Sequence, residues 1–482
     1  MTPRTTDSGG GAFRAAVPYL PVGLALLVIQ LDFFDLNLAI PRIAEELHVP
    51  VTDLQWLVSG YMLSLGALFI PAGQIGDLVG RKRTILVGLA IFGSMSLASG
   101  LAPDAPLLIA FRILQGIGAG LIMPNAFALV GATTAPGVRP KVMGILLAVA
   151  GVGTALGPIL GGLFTATIGW RWLFFINVPA VVIAILASKW IPEYFVGERR
   201  QSLRRLDWIG TALIVGGLAF GSLGVDNVTN LGLASWLTWG PFVVGVALLV
   251  GFAIHLRRAA SPLVAPSLFR DAPFMLMGAA GSALNLSVAV VTFTATMQVQ
   301  TVDGFTPEVA GMMFLGSSIG VALSGPAAGW FTSRWGARPV LAVTMVGAVA
   351  AIVLVAAAPN LPVYIVALGL AGFGGGLGWS VAQVGGQSYL PPERQGEGAG
   401  LLSMFMVVAG GLSVVIAGVV IEAIAGTAKP TTAALDWTLY GLAGLVALVA
   451  VIVFAATPRK RNARQNATAP PESAPPPPKT TP

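Results

Sequence analysis

The sequence predicts an all-α membrane protein of two similar halves, and three observations lead to this fold class. Of the 482 residues, 55% are hydrophobic and only 10% are charged, whereas soluble domains carry about 25% charged residues. The apolar residues are gathered into segments of about 20 residues, the length of helix that crosses a bilayer. An internal repeat relates the early segments to the late ones. We therefore predict two parallel six-helix repeats with two helices inserted between them.

Fourteen apolar segments account for most of the chain. Their boundaries are 18–41, 54–76, 84–102, 106–132, 142–166, 171–191, 207–225, 235–256, 272–299, 307–332, 339–358, 361–387, 397–424 and 436–457. The connections between them are short, and the longest covers residues 192–206. Each segment is long enough to form one transmembrane helix.

A shift of 256 residues brings glycines and prolines of the two halves into coincidence without gaps. Gly80 then falls on Gly336, and Pro103 falls on Pro359. Helices one to six (18–191) and nine to fourteen (272–457) are therefore two copies, with helices seven and eight (207–256) as an insert. The remaining segments are a cytoplasmic N-terminal segment (1–17), cytoplasmic linkers (192–206 and 257–271) and a disordered, basic and Pro-rich cytoplasmic tail (458–482). Parallel six-helix halves are one plan of membrane transporters.

The basic residues predict the orientation. With the N-terminus in the cytoplasm, the inside segments carry 23 Lys and Arg and the outside segments carry three, namely Arg42, Arg171 and Lys429. This asymmetry follows the positive-inside rule and predicts both termini in the cytoplasm. It also accounts for the net charge of +7 without a nucleic-acid partner. Short loops and high Gly and Ala content suggest a bacterial inner (cell) membrane.

Several classes of site have no support in the sequence. The chain has no cysteine, its two histidines are far apart, and no Walker A motif is present. We therefore expect no disulfide, no metal site, no enzymatic activity and no cofactor. The expected partners are the lipid bilayer, protons and a small amphipathic substrate, with the monomer as the functional unit.

Three charged residues lie inside apolar segments: Asp32 and Asp35 in helix one, and Arg112 in helix four. A central Asp or Arg costs about 2.5–3.5 kcal/mol on membrane-insertion scales, so such residues are functional candidates. A basic loop between helices two and three, GQIGDLVGRKR, adds Gly73, Asp77, Gly80, Arg81, Lys82 and Arg83. Gly73 and Gly80 would permit a close approach and a tight turn there.

This loop resembles the G-x-x-x-D-x-x-G-R-[KR]-[KR] signature of the major facilitator superfamily. The resemblance implies that Asp77 and Arg81 belong to a salt-bridge network that closes the cytoplasmic side. Helix four, from Arg112 to Gln115 and Gly116, resembles the R-x-x-Q-G motif of proton-coupled drug exporters. There the arginine is linked to proton transfer, although a purely structural arginine paired with an acid is the alternative.

Helix five resembles the antiporter motif G-x-x-x-G-P-x-x-G-G, which marks exporters within this superfamily. Its residues are Gly153, Gly157, Pro158, Gly161 and Gly162. Gly153, Gly157 and Gly161 follow one another at a spacing of four residues, so they form one close-packing stripe along the helix. We expect its partner on helix ten, at Gly316, Gly320 and Ser324.

The segment WRWLFFINVP resembles the start of helix six in the fourteen-helix drug:proton antiporters of the EmrB/QacA type. Together with the insert, it is identified with that branch, and the resemblance covers roughly residues 18–457. Helix one departs from the pattern. Asp32 and Asn37 match, but Phe34 replaces a threonine and Asp35 is an additional acid.

Depth suggests how the two acids differ. Asp35 and Arg112 both lie six residues from an outer helix end, at Pro41 and Pro106, or ~9 Å below that surface. We therefore expect Asp35 to pair with Arg112 and Asp32 to take up and release the proton. The competing assignment exchanges the two acids.

The resemblance places helices one, four, nine and twelve around the substrate cavity, with helix thirteen nearby. The candidate contacts on them are Gln30, Phe34, Asn37, Gln115, Asn125, Asn285, Gln298, Trp379, Gln383 and Phe405. The expected function is proton-coupled antiport that exports drug-like amphipathic or lipophilic compounds by alternating access. A symporter, an exporter of one metabolite or self-made antibiotic, and a non-transporting membrane sensor or enzyme are the rivals. The sequence leaves the substrate and the role of helices seven and eight open.

Overall fold

The computed structural model describes residues 14–135, 138–192, 207–231, 235–259, 262–391, 394–426 and 430–456. Regular structure within these ranges is helical. The first half contains α1 (Leu20–Leu47), α2 (Trp56–Ala67 and Phe69–Val79), α3 (Arg81–Gly100), α4 (Ala105–Thr133), α5 (Arg139–Thr167) and α6 (Arg171–Phe175 and Asn177–Ala187). The insert contains α7 (Trp208–Leu231) and α8 (Trp236–Arg258). The second half contains α9 (Ala272–Thr296), α10 (Pro307–Trp335), α11 (Ala337–Ala356), α12 (Leu361–Gln387), α13 (Gln395–Ala425) and α14 (Thr432–Ala456).

Thirteen described helices are long and apolar enough to cross a membrane, and α2, whose two parts meet at a 47° bend, makes fourteen. The predicted all-α fold class is confirmed. One boundary differs in an instructive way, because α1 continues through Pro41 to Leu47. Proline is tolerated inside transmembrane helices when neighbouring groups satisfy the freed carbonyl.

The repeat is visible in backbone details that are 256 residues apart. Gly80 ends α2 with φ of 109°, and Gly336 ends α10 with φ of 81°, values that favour glycine. Asp104 caps α4 by accepting from the Leu107 amide at 2.9 Å, and Asn360 caps α12 by accepting from the Val363 amide at 3.1 Å. The same turn and the same cap therefore recur in both halves.

The insert forms a tight pair at the periphery. A Cβ on Gly224 would lie 2.5 Å from Phe242, and one on Gly245 would lie 2.4 Å from the Gly221 amide nitrogen. Only 17% of the apolar stretch of α8 is buried inside the protein. α7 contacts α2 and α13, and Gln55 Nε2 donates to Asp226 Oδ1 at 2.7 Å. The insert therefore lies beside a seam between the two halves.

The two ends of the helix bundle carry different charges. One end carries most of the described basic residues, including Arg81, Arg258, Arg334 and Arg338, and we call it the basic end. The opposite end carries Arg42 and Arg171. Of the predicted segments, the tail 458–482 and all of linker 192–206 except residue 192 lie outside the described residues, as do residues 1–13 of the N-terminal segment.

α5 and α10, one from each half, meet closely at the opposite end and separate toward the basic end, as four register-matched pairs demonstrate. A Cβ on Gly162 would lie 2.4 Å from the Pro307 carbonyl oxygen, and one on Gly311 would lie 2.4 Å from the Pro158 carbonyl oxygen. Halfway along, a Cβ on Gly151 would lie 3.6 Å from the Ala322 Cβ. At the basic end, a Cβ on Gly144 or Gly329 would meet nothing within 4 Å.

Candidate functional site

A buried polar network surrounds Asp32 in the middle of α1. Its Oδ2 accepts from Arg112 Nη1 at 2.6 Å, while Oδ1 accepts from Gln115 Nε2 at 3.0 Å and from Asn177 Nδ2 at 2.9 Å. Arg112 also donates to Gln115 Oε1 at 2.8 Å. Asp32 and Arg112 are each only 1% exposed. Three helices, α1, α4 and α6, therefore converge on one fully enclosed ion pair.

Arg112 is held from several directions. Its Nε donates to the Leu57 carbonyl at 3.2 Å, and its guanidinium lies 4.4 Å from the centre of the Tyr61 ring and 5.7 Å from that of Phe174. An aromatic face attracts a cation through its quadrupole, more strongly where water is absent. The Arg112 charge is thus compensated by one carboxylate, carbonyl and amide oxygens, and two rings.

Asp35 occupies the same region with weaker compensation, from a Leu36 backbone hydrogen bond and the charge of Arg112. It is 1% exposed, and its Oδ2 has no hydrogen-bond partner in the described part of the chain. An ionised carboxylate that is buried without a partner costs several kcal/mol, whereas the protonated carboxyl is a neutral donor. The arrangement therefore separates a paired acid, Asp32, from an unpaired one, Asp35.

The expected pairing of Asp35 with Arg112 is wrong, because Arg112 pairs with Asp32. Pro41 is not the end of helix one, because α1 continues to Leu47. The side of α1 on which each acid lies also decides its partner. At about 3.6 residues per turn, Asp32 lies away from the α5-facing residues Leu27 and Phe34, toward α4 and α6.

The glycine stripe of α5 packs against α1, not against α10 as expected. A Cβ on Gly153 would lie 2.3 Å from the Leu27 carbonyl oxygen, one on Gly157 2.6 Å from Phe34, and one on Gly161 2.5 Å from the Asp35 carbonyl oxygen. Only the absence of side chains allows these backbones to approach. The glycine stripe therefore brings the α5 backbone into direct contact with the backbone of Asp35.

The other glycines of this region have different partners. Gly162 and the Pro158 carbonyl face the start of α10, at Pro307 and Gly311. The proposed partner stripe on α10 faces α12 instead, because Cβ atoms on Gly320 and Gly376 would meet the Gly369 carbonyl oxygen at 2.8 Å and Ser324 at 2.3 Å. A glycine-rich face on a helix has many possible partners, so spacing alone could not choose between them.

The predicted basic loop is instead the last turns of α2, a turn at Gly80 and the start of α3, and it forms an ion pair at the basic end. Asp77 pairs with Arg81, and Arg81 Nη1 donates to Asn125 Oδ1 at 3.5 Å. Gly80 makes the predicted tight turn, with φ of 109°. The close approach expected at Gly73 is absent, since its Cβ would meet nothing within 4 Å, and it occurs instead at Gly76, whose Cβ would lie 1.7 Å from Asn125 Oδ1.

Two further basic residues of the loop take other directions. Lys82 Nζ donates to the Ile191 carbonyl oxygen at 3.2 Å, which ties α3 to the end of the first half. Arg83 also makes an interaction. In the second copy, Ser333 stands where Asp77 would be, and its hydroxyl donates to the Trp330 carbonyl in its own helix at 2.8 Å. The acid–arginine pair thus belongs to the first half.

The ten predicted cavity residues divide into groups. Gln115 belongs to the Asp32 network, and Asn125, whose amide donates to the Ala72 and Leu121 carbonyls at 2.8 and 2.9 Å, supports the ion pair at the basic end. These two are therefore structural partners of charged groups and not free cavity contacts. Gln30 donates to Thr154 at 3.2 Å and Asn37 to the Phe33 carbonyl at 3.1 Å, while the Phe34 and Phe33 ring centres are 5.1 Å apart.

The remaining predicted contacts lie in the second half. Asn285 donates to the Met406 carbonyl at 2.8 Å, and Gln383 donates to Ser403 at 2.6 Å, so both join neighbouring helices to α13. Phe405 lies edge-on to Phe269 at 6.2 Å, and Trp379 on α12 is half-buried. Gln298 is remote from these residues, at the opposite end, where it donates to Asp303 at 2.7 Å.

Sequence reasoning missed three residues of the central network. Asn177 donates to both Asp32 and Ser96, and Ser96 donates to the Phe174 carbonyl at 2.9 Å. Tyr61 lies beneath Arg112 with its hydroxyl buried and without a partner in the described ranges. Asn177 lies within the conspicuous WRWLFFINVP segment, so a polar residue in that apolar stretch was the available signal.

Comparison with known proteins gives consistent matches. The family model described as Major Facilitator Superfamily matches residues 22–299 and 275–480. The multidrug resistance protein Stp of Mycobacterium tuberculosis is 31% identical over 85% of this chain and 77% of its own length. The tetracenomycin C resistance and export protein of Streptomyces glaucescens is 32% identical over 70% of this chain, a match that spans 63% of that protein. The methylenomycin A resistance protein of Streptomyces coelicolor is 27% identical over 96% of this chain.

Solved structures show the same fold. The nucleoside transporter NupG superposes with a TM-score of 0.65 over 92% of this chain and 99% of its own, at 12% identity. A bacterial homologue of the human lysosomal transporter Spinster gives 0.63 over 92% of this chain and 96% of its own, at 14% identity. At such identities the similarity concerns the fold alone.

Proposed function

The chain belongs to the major facilitator superfamily, and we propose that it is a proton-coupled antiporter that exports drug-like amphipathic or lipophilic compounds. The observation that carries this proposal is the enclosed Asp32–Arg112 pair with an unpaired acid, Asp35, beside it. Charged groups inside transmembrane segments mark ion and proton pathways. The antibiotic and multidrug resistance proteins among the relatives support the class of substrate.

Asp35 is the better candidate for the residue that takes up and releases the proton. Asp32 already has three donors, one of them a guanidinium, so protonation would break a charge-assisted hydrogen bond. Asp35 has an oxygen without a partner, and protonation there removes a buried charge. This assignment exchanges the two roles that depth alone suggested. Arg112 then keeps Asp32 ionised and Asp32 keeps Arg112 in place.

The two ends of the helix bundle suggest the direction in which the site opens. α5 and α10 are in contact at the opposite end and separate at the basic end, and Gln300 Nε2 donates to the Leu38 carbonyl across the halves at 2.9 Å, again at the opposite end. Basic residues face the cytoplasm in membrane proteins. We therefore assign this arrangement to a state open to the cytoplasm of a bacterial inner membrane, with both termini inside.

The gate follows from the same assignment. Asp77 and Arg81 lie on the first half at the basic end, the end at which α5 and α10 are apart. When the halves rock together, this pair would meet the second half and close the cytoplasmic side, as alternating access requires. The proton gradient would supply the energy, no cofactor would be needed, and one monomer contains both halves. The α7–α8 insert supports membership of the fourteen-helix antiporter branch.

Proteoliposomes that contain the purified protein and an internal pH dye would test the proposal. With an imposed proton gradient, a panel of lipophilic cations and neutral antibiotics should include a compound that moves protons in the wild type. Asp35→Asn should abolish that proton flux, whereas Asp104→Asn, which changes a helix-capping carboxyl that Asn replaces in the repeat, should preserve it. Compound movement that is equal in wild type and Asp35→Asn, without proton flux, would contradict antiport.

A narrow exporter of one self-made antibiotic is the second candidate. The names of the tetracenomycin C and methylenomycin A resistance relatives favour it. The same panel separates the two, because a narrow exporter should respond to one chemical series only. A membrane sensor is the third reading, and it would give no flux with any compound.

A further inference from the structure

A cavity of about 300 Å³ opens at the opposite end of the second half, away from the Asp32 network. Four helices and the segment after α9 surround it, and its lining includes Asp303, Asp436, Tyr364, Gln298 and Phe305. Its volume lies at the lower limit of small-ligand pockets, which hold about 300–1,000 Å³. A compound with one aromatic ring would therefore fit.

Two carboxyl groups, those of Asp303 and Asp436, give the cavity its charged lining. Asp303, Asp436 and Tyr364 all line this cavity, so the two carboxyl groups border one volume. Gln298 Nε2 donates a hydrogen bond to Asp303 Oδ1, and the buried Gln298 Oε1 has no partner among the described residues. No Lys, Arg or His occurs among the lining residues that the structure describes. A ligand with positively charged donors would complement the two carboxylates through charge-assisted hydrogen bonds.

The cavity departs from the repeat, which indicates a specific feature of the second half. The residue 256 positions before Tyr364 is Leu108, which is 0% exposed and packed in the apolar core. The helix caps Asp104 and Asn360 are equivalent, so the register of the comparison is secure. A π-helical segment, Met297–Val302, also replaces regular helix at the end of α9 and carries Gln298 into the cavity. Such segments occur frequently at functional sites.

We infer that this cavity is a binding site for a protonated amine that carries an apolar group. The ammonium N–H groups would donate to Asp303 and Asp436, and the apolar group would lie against Phe305. A quaternary ammonium has the charge without the N–H donors, and an alcohol has neither the charge nor the full set of donors. Neither Asp32 nor Arg112 lines this cavity.

Isothermal titration of the full-length protein in nanodiscs would test this site with phenethylammonium as the probe. Asp436→Asn and Asp303→Asn should each weaken binding by about tenfold or more, the loss expected for one charged hydrogen bond. Asp104→Asn removes a carboxylate at the same end outside the cavity and should leave the affinity unchanged. Phenyltrimethylammonium and 2-phenylethanol should bind more weakly than the primary amine.

Three results would overturn the inference. The first is the absence of measurable phenethylammonium binding, and the second is equal affinity of the wild type, Asp436→Asn and Asp303→Asn. The third is loss of binding in Asp32→Asn with full binding in Asp436→Asn, which would place the amine in the central site. Thermal unfolding curves for each variant would establish that a variant with weakened binding is still folded. Asp436→Asn and Asp303→Asn should give the same result, so each is a control for the other.

Discussion

Asp32 and Asp35 are three residues apart on α1 and equally buried, yet they should respond differently to the same substitution. Asp32→Asn removes the carboxylate that faces Arg112, and breaking a buried ion pair from one side costs about 3–5 kcal/mol. Asp35→Asn replaces a carboxyl whose Oδ2 has no partner in the described ranges with a neutral group of the same size. We expect a clear fall in melting temperature for Asp32→Asn and little change for Asp35→Asn.

Thermal unfolding of both variants in one detergent at one pH is the measurement, with Asp104→Asn as the control for loss of a carboxyl near the surface. An Asp35→Asn protein that loses as much stability as Asp32→Asn would show that Asp35 is also structurally paired. Because the experiment needs no substrate, its outcome is independent of the transport assay.

For single residues, the sequence identified the charged groups within the apolar segments, but it assigned Arg112 the wrong partner. An Asp or Arg in an apolar segment is conspicuous, so Asp32, Asp35 and Arg112 could be selected from their surroundings alone. Their pairing depends on the rotation of α1 and on helix lengths that differ by a turn or two, as at Pro41. Neither quantity is encoded in the local pattern.

Single helices depend on close backbone contact, and the α5 glycines give a direct test of it. A Cβ on Gly161 would lie 2.5 Å from the Asp35 carbonyl oxygen and 2.9 Å from its Cα, and neither backbone atom can rotate away. Gly161→Ala should therefore force α5 from α1 and destabilise the protein by about 1–3 kcal/mol. Gly144→Ala on the same helix meets nothing within 4 Å and serves as the matched control.

Melting temperature and proton flux should both fall in Gly161→Ala and stay near wild type in Gly144→Ala. Equal behaviour of the two variants would mean that α5 and α1 are not in contact at Asp35.

The sequence predicted this stripe from its spacing, but it assigned the wrong neighbour, since glycine faces occur on α10 and α12 as well. Helix existence, the insert and the repeat were more predictable because segment length, hydropathy and the 256-residue shift determine them.

The relation between the halves is a property of the whole molecule, and the chain is suited to measuring it because it has no cysteine. The Cβ positions of Gly151 and Ala322 are 3.6 Å apart, within the range of disulfides. Seven residues nearer the basic end on each helix, Gly144 and Gly329 have no neighbours within 4 Å. The double variant Gly151→Cys with Ala322→Cys should therefore oxidise readily, and Gly144→Cys with Gly329→Cys should not.

The proposed alternating access would require at least two arrangements of the halves, and the sequence pattern does not indicate how they differ. When the basic end closes, the pair at 144 and 329 should approach, so its oxidation rate should rise when a transported compound and a proton gradient are both present. Counting free thiols with a maleimide reagent would follow both pairs. Oxidation at 144 and 329 that is as fast as at 151 and 322 without any compound would mean that the basic end is already closed. A disulfide between residues 151 and 322 should also stop transport, and reduction of that disulfide should restore it. The reason is that rocking of the halves must change the spacing between α5 and α10.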